Sequence, residues 1–89
     1  MAKKKFKHPV GRVRRVVREV LNMTAGYYLT EKALTDFSNE VLEPDASEMD
    51  VKLALEWNYA EGYVSNQDNE ETEEKEWCIT KAGIARENI

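Results

Sequence analysis

The sequence predicts an α+β domain of three helices, a two-stranded hairpin and a short last helix. Three observations carry this. Apolar residues recur at helical spacing through residues 10–23, 31–41 and 48–61. Two short segments, 62–65 and 76–80, read as strands on either side of a polar loop. A chain of 89 residues has room for one modest core and not for two.

Residues 1–8 read as a disordered basic arm, and residues 9–89 as the domain. Pro9 suits the first turn of a helix, where its missing N–H costs nothing. On a 100° wheel Val10, Val13, Val16, Val17, Val20 and Leu21 cover one face of that helix. Arg12, Arg14, Arg15 and Arg18 cover the other, with Arg15 and Glu19 spaced as an i,i+4 pair. Gly26 is placed to cap the helix in the left-handed region. Tyr27-Tyr28-Leu29 is a short extended piece. Thr30 then caps a second helix over 31–41, with Ala33, Leu34, Phe37 and Val41 facing the core. Pro44 forbids its straight continuation.

Ser47 and Asp50 form a capping box with Asp in the Glu position, opening a third helix that stops at Gly62. Val51, Ala54, Leu55 and Tyr59 make its core stripe, and Asn58 falls on the same side. Met49, Leu53, Trp57 and Ala60 make a second apolar stripe on roughly the opposite side. Such a helix is covered on both sides, within the monomer or by a partner, and Trp is favoured as an interface anchor. Thr80 caps a last helix over 81–87.

Order and spacing together support a family likeness. Asp50-Val51-Lys52-Leu53-Ala54-Leu55-Glu56-Trp57, followed by Ala60-Glu61-Gly62-Tyr63-Val64, resembles the third helix of a winged-helix domain running into its first wing strand. Trp77-Cys78-Ile79-Thr80-Lys81-Ala82-Gly83 resembles the strand leaving the wing and the turn after it. The likeness covers roughly residues 10–87, and the compact form is similar to small winged-helix proteins of bacteriophages and other mobile elements. It implies a three-helix core with a two-stranded wing and DNA binding, with the third helix in the major groove.

Charge complicates that docking mode. Residues 1–18 hold Lys3, Lys4, Lys5, Lys7, Arg12, Arg14, Arg15 and Arg18 and no acid, whereas the remaining five basic residues stand against all seventeen acids, for a total of −4. The third helix offers Glu48, Asp50, Glu56 and Glu61 against Lys52 alone. The wing tip offers Asp68, Glu70, Glu71, Glu73, Glu74 and Glu76 against Lys75. DNA pressed on either would meet uncompensated negative charge.

Two functional readings follow. In the first, a nucleic-acid-binding regulator of transcription or replication holds phosphates with the arm and the helix-one arginines, helped by Lys52. Phe6 and His8 among the lysines are available to stack on bases. In the second, a protein-interaction module or DNA mimic uses Met49, Leu53 and Trp57 with an acidic rim to bind a basic protein or a second copy. The acidic loop itself has three readings: a solvated mobile loop, a dock for a basic surface, or an imitation of a nucleic-acid backbone.

Other classes find little support. One histidine in the arm and one cysteine in a strand make no nucleophile–base pair, so no enzyme is expected. Ligands for zinc are lacking, and the acidic loop has neither the spaced ligands nor the Gly of a calcium loop. No cofactor or metal is expected. No apolar run is long enough for a membrane, and the basic start has no apolar stretch behind it to make a secretion signal. Cys78 alone rules out an internal disulfide. A cytoplasmic setting and a small core side chain are its expected circumstances.

Overall fold

The computed structural model describes residues 8–89. Among them the order is α1 (Val10–Met23), β1 (Leu29–Thr30), α2 (Glu31–Ser38), α3 (Glu48–Ala60), β2 (Val64–Asp68), β3 (Lys75–Ile79) and α4 (Lys81–Glu87). Four helices and a three-stranded antiparallel sheet of order β1-β3-β2 make an α+β fold. The sheet has one strand more than the sequence predicts. Leu29 and Thr30 pair with Trp77 and Glu76, contacts 48 and 46 residues away that two residues of local pattern do not announce. No helix of the described residues is long and apolar enough to cross a membrane.

The core lies between α1, α2, α3 and the sheet. From α1 it takes Val13, Val16, Val17, Val20 and Leu21. Val10 is 60% exposed, because the first helical residue lies beyond the packed length of the helix. Leu34 and Leu42 fill the space beneath the α2–α3 turn, and Val51, Ala54 and Leu55 close it from α3. Each fully buried leucine is worth about 2–5 kcal/mol against alanine.

The α2 stripe differs from the predicted one. The buried positions are Leu34, Thr35 and Ser38, continued by Leu42, whereas Phe37 and Val41 are exposed. Thr35 Oγ1 donates to the Glu31 carbonyl at 2.8 Å, which lets a hydroxyl sit at the core edge. The helix ends early because Asn39 closes the turn. Its side-chain amide donates to the Ala46 carbonyl at 3.0 Å, and its side-chain oxygen accepts from the Ala46 N–H at 2.8 Å.

In α3 both halves of the Ser47–Asp50 capping box form, and Gly62 takes φ 84° just beyond the end. Tyr59 is 54% exposed instead of joining the core stripe. Its ring stands edge-on to Trp77, 6.3 Å between centroids. Trp77 fills the place beneath the sheet, with its indole N–H donating to Glu31 Oε2 at 3.2 Å. Cys78 is buried in β3.

β2 begins two residues later and ends three residues later than the sequence predicts, and β3 begins and ends one residue earlier, so the paired hairpin reaches further toward its tip. Register runs from Val64↔Ile79 to Asp68↔Lys75. Asn69 organises the tip: its side-chain oxygen accepts from the Glu71 and Thr72 N–H groups, and its amide donates to Glu76 Oε2. Thr80 caps α4 by accepting from the Gly83 N–H at 3.1 Å.

Candidate nucleic-acid interface

The four arginines of α1 have different fates. Arg18 is not on a solvent-facing basic surface. Its Nε donates to Glu87 Oε2 at 2.8 Å and its Nη1 to Asn58 Oδ1 at 3.0 Å, with Arg18 buried and Glu87 partly so. Asn58 completes the network by donating to the carbonyls of Arg14 and Ala54. This explains a polar residue on the core side of α3: it ties α1 to α3 while Arg18 reaches α4.

Arg14 is half-buried, with its guanidinium 4.4 Å from the centroid of the Trp57 ring. Its Nε is buried and has no hydrogen-bond partner among the described residues. Arg15 is exposed and meets Glu19 at 3.5 Å, the predicted i,i+4 pair. Arg12 is half-buried, and the structure gives it no ion pair among the described residues. Lys52 is half-buried on α3. Lys3, Lys4, Lys5 and Lys7, and the disordered arm they were assigned to, lie outside the described residues, as does Phe6.

The described chain starts at His8, whose Nε2 meets the Pro44 carbonyl at 2.6 Å. A carbonyl only accepts, so Nε2 carries the proton in this contact. This exposed contact links the start of the described chain to the connection between α2 and α3.

The outer stripe of α3 divides. Met49 is 59% and Leu53 54% exposed, and Ala60 is exposed with them. Trp57 leaves this stripe: it is half-buried, covered by Arg14 on one side and 6.3 Å from the Tyr63 ring. It is therefore held within the monomer, and only Met49 and Leu53 keep the open apolar position.

The acids of the hairpin are partly occupied. Asp68 pairs with Lys75 at 3.5 Å, and Glu76 accepts from Gln67 and Asn69. Beside it an open hollow is lined by Thr30, Glu31, Asp36, Glu48 and Glu74 with Lys32 and Lys75. No group of His, Cys, Asp and Glu among the described residues is placed to hold a metal ion.

Two residues of this region escape a reading from sequence. Tyr63 looks like the start of a strand, and Arg86 like a solvated end of the last helix. In the fold, the guanidinium groups of Arg18 and Arg86 lie 5.4 and 5.8 Å from the Tyr63 ring. The one available signal is Asn58, a polar side chain on a core face that requires a partner. No family model, curated protein or solved structure matches this chain.

Proposed function

We propose that the chain is a small winged-helix nucleic-acid-binding regulator that grips DNA through its basic N-terminal segment and the open arginines of α1. The element order, with α2 and α3 joined by the connection 39–47 and β2–β3 following α3, supports the winged-helix reading. One observation carries the functional part: on α1, the helix that follows the lysine-rich start of the sequence, Arg15 is exposed and Arg12 has no ion pair among the described residues. Lys3, Lys4, Lys5, Lys7, Arg12 and Arg15 are the phosphate contacts of this reading, with Lys52 an auxiliary from α3. Arg18 has no part in it, because its charge is committed to Glu87.

Binding of labelled random duplex DNA, followed by anisotropy across a salt series, tests the proposal. If about five phosphates are engaged, the log–log slope is near −4 to −5. Replacing Lys3, Lys4, Lys5 and Lys7 together by Gln reduces that slope by about 3 to 4. Absence of binding at low salt by the folded protein overturns the reading.

The exposure of Met49 and Leu53 one turn apart, with Glu48 and Glu56 beside them, favours a second reading: a protein-interaction module or DNA mimic that docks a basic partner or a second copy. Sedimentation of the chain and of Leu53→Glu over a concentration range decides the self-association branch. A dimer abolished by the substitution supports it, and a monomer throughout removes it.

A further inference from the structure

We propose that the surface formed by Arg14, Trp57, Tyr63 and Arg86 is a docking site for single-stranded nucleic acid, separate from the N-terminal segment; this rests on the nucleic-acid reading above. The four side chains come from α1, α3, the start of the hairpin and α4. They form an alternating ladder: Arg14 stands 4.4 Å from the Trp57 ring, Trp57 6.3 Å from Tyr63, and Tyr63 5.8 Å from Arg86.

Local structure holds the ladder in place. The Thr80 N–H donates to the Tyr63 carbonyl at 3.0 Å, and the Thr80 hydroxyl donates to the Gly62 carbonyl at 2.7 Å. Gly83 then packs so closely that a Cβ there would overlap the same Tyr63 carbonyl oxygen. The first turn of α4 is thus pressed onto Tyr63, and Arg86, one turn later, lies over the ring. The Arg18–Glu87 pair fixes the far end of α4 against α1.

The chemistry fits a polyanion with accessible bases. A guanidinium lying against a ring has given up side-chain freedom before any ligand arrives, and its N–H edge still faces outward for a phosphate. Two nearby acids are already used, Glu87 by Arg18 and Glu19 by Arg15. Glu61, one turn after Trp57, is the acid that opposes the field. The partly exposed edges of Trp57 and Tyr63, with the exposed Arg86 plane, favour single strands over duplex, because only unpaired bases offer a face to stack there.

The test compares a labelled oligothymidylate with a duplex of the same length, using the full chain and the variants Arg14→Gln, Arg86→Gln and the double variant, with thermal melts on each. The expected result is preference for the single strand at low salt. The double variant weakens that binding at least tenfold and lowers the log–log salt slope by about 1.4, at roughly 0.7 per phosphate lost. Oligothymidylate also quenches Trp fluorescence in the full chain, and Trp57→Phe removes the quench. Arg86 is exposed, so Arg86→Gln alone keeps the fold and decides the matter if Arg14→Gln does not: several-fold weaker binding supports the site. Unchanged single-strand binding by the variants overturns this surface while leaving the N-terminal contact standing. Loss confined to duplex overturns it as well. No binding of either nucleic acid by the full chain overturns both.

Discussion

Two ion pairs of α1 begin three residues apart and behave as different objects. Arg15 and Glu19 meet at 3.5 Å with about half of each side chain in water. Arg18 and Glu87 meet at 2.8 Å with side chains 7% and 11% exposed, and Asn58 shares the guanidinium. The first pair is local, screened and replaceable by water. The second joins the first helix to the last and stands inside a network whose members are costly to leave unpaired. Residue type and helical position suggest one basic face, whereas burial separates a structural cation from open ones.

The largest expected effect that probes this contrast is Arg18→Ala. Breaking a buried pair costs about 3–5 kcal/mol. Glu87 is only partly buried as a residue and can turn toward water, so a loss near 3 kcal/mol is expected by urea unfolding. Replacing both partners, Arg18→Met with Glu87→Leu, restores only part of it, because no charge is orphaned but the buried Asn58 Oδ1 loses its donor. A loss below about 1 kcal/mol for Arg18→Ala would erase the distinction between the pairs.

Next is Gly83→Ala, which asks whether α4 is clamped at its start as well as at its end. The new Cβ overlaps the Tyr63 carbonyl oxygen and crowds Ile79 Cγ1. Such overpacking costs about 1–3 kcal/mol, while alanine returns about 1 kcal/mol of helix propensity. A net loss of about 1–2 kcal/mol in thermal or urea melts is expected, since the opposing atom is backbone and does not yield. A stabilised variant would mean that Arg18–Glu87 alone holds the helix.

Legibility of the chain follows the range of the interactions. The α3 boundaries could be read because capping is local: Ser47, Asp50 and Gly62 act on backbone groups within a few residues. The caps Thr30 and Thr80 are legible for the same reason. The α2 stripe was misread because Thr35 and Ser38 are polar by type, and only the fold reveals that they lie against the core. Arg18 was assigned to the basic face because its partner is 69 residues away. Tyr63 and Arg86 belong to the candidate site only through the packing of α4, which rests on the close approach of Gly83 to Tyr63, 20 residues away in sequence. The basic character of residues 1–18 was legible as composition, and the contact of His8 with Pro44 was not.

The smallest expected effect is the one that separates stability from function. Arg15→Ala removes an exposed i,i+4 pair, worth about 0.3–0.5 kcal/mol at low salt and less once the charges are screened. Urea melts of the variant and the parent therefore nearly coincide, and the small gap closes as salt is raised. Duplex binding responds differently. If Arg15 holds one phosphate, its loss lowers the log–log salt slope by about 0.9. Arg18→Met with Glu87→Leu is the converse: a buried cation disappears and the slope stays where it was. Anisotropy on the two variants at matched folded fractions makes the comparison quantitative. A slope that falls with Arg18 and not with Arg15 would exchange their roles, and would require the Arg18–Glu87 pair to open whenever nucleic acid binds.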